Sequence, residues 1–414
     1  MKFYYFIVFL LFFFSSESQN QYDFILYDSG RLSVVKKDLN AGSISECAQK
    51  AYYILRARAN YLLEMENPTV MDKTIDPPSG NKHDYLSISR YWWPDPQKDD
   101  GIPWIRKDGV TNPETQTDAV DRNRLGLMAE GVKYLSLAHF FTEDERYARK
   151  AIDILKTWFL AENTKMNPHL EYAQSVPGNP NGRRSGILDG RLIALVIPDA
   201  IIILRSSNYW TDSLENGMQE WLTEYLNWLV ESDLGREGAK QVNNHGSWYR
   251  LHVAAIARFL GKRSVAENMI YQARESLEEQ LDEKGRQIHE IGRTRSFFYS
   301  CFNLKPLLML ARIGDQLGVD LWQYESPNGK SLKLALAYLT PVIDGKEWPH
   351  PSIGENNLVH LIPVLHRFYI LTDESHYAEM LDKSLNQLTD LNFPASEMHD
   401  LYEQCLLLGL PIKD

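Results

Sequence analysis

The chain has 414 residues, 44% hydrophobic and 24% charged, a globular composition with material for a large core and none of the bias of a disordered chain. Its formal net charge of −11 excludes the basic profile of a nucleic-acid binder. The same charge requires any polyanion site to gather arginine and lysine locally, so clustered basic residues are the feature to follow along the chain.

At the start, Lys2 precedes an unbroken apolar run from Phe3 to Phe14, and Ser15, Ser16 and Ser18 supply small residues for cleavage. This pattern predicts a signal peptide over residues 1–18, followed by one domain over 19–414. The run is shorter than the ~20 residues of a spanning helix. No cysteine follows it for lipid attachment. The expectation is an exported monomer, periplasmic or secreted, with no membrane anchor.

The next informative stretch, residues 82–118, is polar and rich in turns, with little helical periodicity. Loops that long inside a compact domain usually carry function, and this one is expected to wall the mouth of the fold. It contains Lys82-His83-Asp84-Tyr85 and Tyr91-Trp92-Trp93-Pro94. Adjacent tryptophans in a proline-rich loop offer flat faces to sugar rings, although a structural plug is the plain alternative. Lys82, Tyr91, Trp92 and Trp93 become candidate substrate contacts.

Beyond residue 120 the apolar residues recur at i, i+3, i+4 and i+7, predicting helices over 125–141, 146–160, 188–204, 214–230, 248–260, 265–281, 304–317, 332–342, 358–371 and 376–388. Thr142, with Glu145 three residues on, reads as a capping box. Breakers such as Pro177-Gly178-Asn179-Pro180, Gly261 and Pro306 fall between the periodic stretches. Strand-like alternation is almost absent, and no fixed-period repeat is present. The pattern predicts an all-α fold of antiparallel helical hairpins arranged as an α/α toroid.

Four constellations carry chemistry. The first is the aromatic loop just described. The second is Gln174 followed by Arg183, Arg184 and Arg191, the local positive patch that an acidic protein needs for an acidic glycan; a solvated basic loop is the alternative. The third is Asn243-Asn244-His245-Gly246-Ser247-Trp248 at the start of a helix, where amide and imidazole donors meet the positive end of the dipole. The bland alternative there is an asparagine cap. The fourth is Arg293-Thr294-Arg295-Ser296 with Tyr299; Arg295 and Tyr299 share a helix face at i, i+4, and a guanidinium beside a phenol favours the phenolate. Surface arginines beside a core aromatic cluster are the alternative there.

Together these groups suit β-elimination on a uronate. That reaction removes the C5 proton, which is acidic only once the neighbouring carboxylate is neutralised. It needs donors for the carboxylate, a base near C5 and an acid at the O4 leaving group. Asn244, Arg293 or Arg295, His245 and Tyr299 provide those types. The chemistry needs no metal or cofactor. The three cysteines, Cys47, Cys301 and Cys405, have no ligand spacing; buried free thiols are the expectation, with one disulfide in an oxidising compartment as the alternative.

The chain resembles the alginate-lyase domain family, the helical-toroid polysaccharide lyases of families 5 and 38. The matching stretches are Lys82-His83-Asp84-Tyr85, Tyr91-Trp92-Trp93-Pro94, Asp108-Gly109 with Asn112-Pro113, Trp158-Phe159 with Thr164, Met166-Asn167-Pro168, Tyr172-Ala173-Gln174, Gly186-Ile187-Leu188-Asp189, Asn243-Asn244-His245, and Arg293-Thr294-Arg295-Ser296 with Tyr299-Ser300. The resemblance implies an incomplete α/α toroid and cleavage of mannuronate- or guluronate-containing chains, or of a glucuronan on the same scaffold. It also implies roles: Asn244 and an arginine on the substrate carboxylate, Tyr299 as acid, and as base in syn elimination, and His245 as base in anti elimination. The arginine–tyrosine spacing departs from the classical members, so Arg293 and Arg295 are not ranked by it.

Two rival readings remain at this level. An α/α-barrel glycosidase would use two carboxylates, with Asp189, Glu290 and Glu355 as candidates. A non-catalytic glycan-binding protein would share the helices and tryptophans.

Overall fold

The computed structural model describes residues 22–179, 185–353, 357–372, 374–390 and 407. The expected signal peptide, Arg183, Arg184 and Glu355 lie outside the described residues.

The helices are α1 (Ser29–Ala41), α2 (Glu46–Leu63), α3 (Arg122–Thr142), α4 (Glu145–Leu155), α5 (Ile187–Leu204), α6 (Asp212–Glu231), α7 (Asp233–Ala239), α8 (Asn244–Phe259), α9 (Arg263–Gln280), α10 (Ser296–Leu317), α11 (Leu332–Leu339), α12 (Asn357–Thr372) and α13 (Ser375–Asp390). Four short strands accompany them. β1 (Leu86–Ile88) pairs in parallel with β4 (Tyr172–Ser175), and β2 (Trp92–Trp93) runs antiparallel to β3 (Ile105–Arg106).

An inner row of helices packs in succession, α3 on α5, α5 on α8, α8 on α10 and α10 on α12. An outer layer covers it: α2 and α4 on α3, α6 and α7 on α8, α9 on α8 and α10, and α13 on α12. Among the described residues α12 makes no comparable contact with α3, so the ring stays open. The expected incomplete α/α toroid is the observed architecture. One hydrophobic core runs from Phe24 to Leu407.

The inner helices share a direction, as their end contacts show. The N-terminal segment packs on their carboxyl-terminal halves. Asp199 of α5 accepts the backbone N–H groups of Ile25 at 2.6 Å and of Leu26 and Tyr27 at 2.9 Å. Phe24 lies against Phe140 of α3, Arg258 near the end of α8 pairs with Asp23 at 2.8 Å, and Gln316 of α10 donates to the Phe24 carbonyl at 2.9 Å. The amino termini therefore collect at the opposite end, with their partial positive charge and unpaired N–H groups.

Several local expectations are corrected. Helices α1 and α2 were not expected; α1 buries little beyond Leu32 and Val35, and α2 buries mainly alanines and two leucines, so their periodic signal is weak. Asp144, rather than Thr142, caps α4, accepting from Arg146 N, while Thr142 ends α3. Pro306 sits inside α10 instead of breaking it; the leucine-rich burial of both flanks outweighs the lost hydrogen bond. Cys301 is a buried free thiol as expected, Cys47 is disulfide-bonded, the alternative the sequence left open, and Cys405 lies outside the described residues.

Candidate active site

The amino-terminal ends of α3, α5, α8 and α10 meet the two strand pairs around a cleft of about 250 Å³. Five arginines line it (Arg90, Arg106, Arg122, Arg191 and Arg293), with His245 and His289, and no described lining residue is an aspartate or glutamate. A protein of net charge −11 thus presents a locally cationic pocket.

Tyr299, in the first turn of α10, is buried, and its hydroxyl donates to the Tyr91 hydroxyl at 2.9 Å. The Arg293 guanidinium carbon lies 3.7 Å from the centre of the Tyr299 ring, a stacked cation–π contact. Burial drives the Tyr299 phenol well above its ordinary range, and the Arg293 charge only partly opposes this. The expected lowering of the phenol toward neutrality is therefore corrected: desolvation outweighs the neighbouring cation, and Tyr299 rests as a neutral acid.

Arg293 is held by Asp108, which accepts from its Nε at 3.0 Å and its Nη2 at 2.6 Å, a two-point clamp. Thr294 Oγ1 donates to the same carboxylate at 3.2 Å. Gly109 makes this approach feasible: its φ is +75°, and a Cβ there would lie 2.4 Å from Thr294 Oγ1. Burial alone would raise the Asp108 carboxyl, but Arg293 and Arg106 hold it down at about 2. A depressed carboxyl stabilises the fold above its unfolded value and loses that contribution as pH falls through its folded value. Wild-type protein is thus expected to lose thermal stability as pH drops from about 4 to 2, and Asp108→Asn, less stable above pH 4, to show a flatter acid limb in melting temperature against pH.

At the start of α8, Asn243 is the cap, its Oδ1 accepting from His245 N at 3.0 Å, and both residues line the cleft. The next position requires glycine, because a Cβ on Gly246 would fall 1.9 Å from the Gln241 carbonyl oxygen. Asn244 does not face the cleft. It is buried, and Glu290 accepts its backbone N–H at 2.7 Å and its amide nitrogen at 3.0 and 2.9 Å. The expectation that Asn244 grips a substrate carboxylate is corrected: the helical turn points it inward, and Asn243 is the amide on the cleft side.

Gln174 lies where the β1–β4 register shifts, with φ of +51°, a left-handed conformation uncommon outside glycine. Its backbone N–H donates to Ser87 Oγ at 2.8 Å, and its carbonyl accepts from Ser89 Oγ at 2.8 Å, so both sides of the strained residue are pinned. The side chain reaches the cleft. Ser87 in turn donates to Asp189 at 2.5 Å, and Asp189 also accepts from Arg122 Nη1 at 2.8 Å. Arg191 lies over Trp248 and Phe302 at 5.7 and 5.8 Å, and burial lowers its guanidinium to about 10. Burial and the adjacent Arg122 charge likewise lower Arg90.

Of the remaining candidates, Tyr91 and Trp92 line the cleft, so the 82–118 stretch supplies a wall as expected. Trp93 turns aside, donating Nε1–H to the Val110 carbonyl at 3.1 Å under Lys107. Lys82 is engaged away from the cleft with the Lys73 carbonyl at 3.2 Å. Trp248 is buried beneath Arg191 as packing, not as a sugar platform. Arg295 stacks on Phe298 at 4.6 Å and is not among the cleft-lining residues, although its backbone shares the Tyr299 turn. Arg90, Arg106, Arg122 and Asp108 were missed as functional candidates. Arg90 stands among uncharged neighbours, Arg106 and Asp108 flank Lys107, and Arg122 shares a stretch with Asp121 and Arg124, so none is set apart by type or spacing; the only signal was the Asp108-Gly109 pair.

The alginate lyase family model matches residues 69–348, and the chain belongs to that family of polysaccharide lyases. Among solved structures, it is similar to an alginate lyase from Bacteroides ovatus, with a TM-score of 0.84 and 35% identity, over 92% of this chain and 99% of that one. It is also similar to a variant of alginate lyase A1-III complexed with a tetrasaccharide (TM-score 0.52, 14% identity, 76% of each chain). An apo variant of the same lyase gives a TM-score of 0.51 at 16% identity, over 81% of this chain and 86% of that one. At those identities the A1-III likeness speaks for the fold alone. No curated protein matches the sequence.

Proposed function

We propose that the protein cleaves alginate by β-elimination, leaving a C4–C5 double bond on the new non-reducing end. The observation that carries this reading is a buried neutral phenol, Tyr299, stacked under Arg293 in a cleft whose described lining holds no carboxylate. A two-carboxylate hydrolase finds no support there. Asp189 is spent on Arg122, Tyr85 and Ser87, and Glu290 on Asn244, both buried.

In this reading Asn243, Gln174 and Arg293 take the substrate carboxylate and the charge that spreads onto it as the C5 proton leaves. The C5–H electron pair becomes the C4–C5 double bond, the C4–O4 bond breaks, and Tyr299 delivers its proton to O4. Where proton and leaving group lie on opposite faces, His245 takes the C5 proton. Where they lie on one face, Tyr299 serves both steps: it first releases its own proton to water in the cleft, and the phenolate, held beside the Arg293 charge, then takes the C5 proton and passes it to O4. Arg90, Arg122 and Arg191 receive the carboxylates of neighbouring sugars.

The protein is also read as an exported monomer. The support for export is the lysine-led apolar run at the N-terminus. Among the described residues no helix is long and apolar enough to cross a membrane.

Digestion of separate polymannuronate, polyguluronate and polyglucuronate samples tests the reading. The expected result is a rise in near-ultraviolet absorbance on an alginate polymer, with product masses one water below those of hydrolysis. Products that carry the added water and no absorbance overturn it, as does binding without turnover. Turnover of polyglucuronate alone overturns the substrate assignment.

A further inference from the structure

The geometry points to Glu290 as the positioning residue that fixes the distance between the His245 and Tyr299 halves of the cleft. Its side chain accepts the first free N–H of α8, that of Asn244, at 2.7 Å, and both carboxylate oxygens lie within 3.0 Å of the Asn244 amide nitrogen. Its main chain begins the turn that carries the catalytic arginine, since Arg293 N–H donates to the Glu290 carbonyl at 3.0 Å. The same turn is fastened to α10 by Gln287, whose Nε2 donates to the Ser300 carbonyl at 3.0 Å and whose Oε1 accepts from Asn303 at 2.9 Å. Asn243 and His245 on one side, and Arg293 and Tyr299 on the other, are thus joined through one buried carboxyl.

Glu290 is 1% exposed and does not line the cleft, so it acts through its neighbours and not on substrate. A buried acceptor at a helix amino terminus also satisfies a backbone donor that would otherwise be unpaired. On the far side of the pair, Asn244 Oδ1 is buried with no hydrogen-bond partner. A glutamine in place of Glu290 would keep the acceptor for Asn244 N–H. After rotation of the Asn244 amide it would also donate to that oxygen. The glutamine is therefore a conservative rescue, whereas alanine leaves the Asn244 donors without an acceptor.

The inference rests on the lyase reading above. The experiment compares full-length wild type, Glu290→Ala and Glu290→Gln on the polymer that wild type cuts, with rates normalised to folded protein by circular dichroism. A shift of the two halves by about 1 Å should cost Glu290→Ala roughly 100-fold in kcat, with KM within about threefold. Glu290→Gln should stay within about tenfold of wild type in kcat. An alanine variant that keeps kcat per folded molecule overturns the assignment, as does a loss confined to KM. If Glu290→Ala does not fold, the glutamine variant decides alone, and a loss of about 100-fold in folded Glu290→Gln overturns the proposal. Wild type that yields no unsaturated product instead removes the lyase reading on which the assignment stands, a result distinct from any variant effect.

Discussion

Tyr299→Phe is expected to lower kcat by about 10³-fold on an alginate polymer, within the range that a positioned proton donor contributes. The substitution removes one oxygen and little else. The ring remains under the Arg293 guanidinium, 3.7 Å from its centre in the parent, so the cation–π contact and the packing of α10 persist. The hydroxyl lost is the one that donates to Tyr91 at 2.9 Å, and Tyr91 lines the cleft, where water can replace the bond. Melting temperature should consequently move little while turnover collapses, and KM should change less than kcat because the carboxylate donors are intact. Tyr91→Phe is the companion variant; it removes the acceptor but leaves the acid, and a loss closer to tenfold is expected. Tyr299→Phe within about threefold of wild type, measured by ultraviolet product formation, excludes the phenol as the proton donor.

The fold was legible because burial of long helices imposes a 3.6-residue period that survives sequence noise, as in the stretch that became α3. It was illegible where little is buried. Helix α2 meets its neighbours largely through Ala48, Ala51 and Ala59, which carry almost no hydrophobic contrast. Site residues followed a different rule. Tyr299, His245, Arg293 and Gln174 stood out through the company they keep in sequence, and the structure brings all four into one cleft. Arg90 and Arg122 did not, because what draws them together is tertiary: β1 and Asp189 join the start of α3 to α5. The two asparagines show the limit most plainly. Composition announced an amide at the start of α8, but a single step along a helix rotates a side chain by about 100°. Which of Asn243 and Asn244 lines the cleft follows from the bonds that hold Asn244 to the buried Glu290. In the same way, the i, i+4 spacing of Arg295 and Tyr299 suggested a pair, yet Arg295 turns onto Phe298.

That last contrast yields a second strong expectation: Arg293→Ala should lose roughly 10²–10³-fold in kcat, as for removal of a donor aimed at charge that develops in the transition state. Arg295→Ala should stay within about threefold, because its guanidinium lies on Phe298 outside the cleft lining. The alanine change at residue 293 also leaves Asp108 paired with Arg106 alone, so part of the loss comes from a less fully compensated negative charge beside the cleft. Two further variants separate the contributions. In Arg293→Ala combined with Asp108→Asn the stray charge is gone, and activity should recover in part but not fully. Arg293→Lys keeps a cation but loses both the planar stack on Tyr299 and the two-point clamp with Asp108. It should therefore resemble alanine more than wild type. If lysine restored wild-type kcat, bulk positive charge would suffice and the oriented guanidinium would not be the stabilising group. If Arg295→Ala instead showed the deeper loss, the assignment of the two arginines would be reversed.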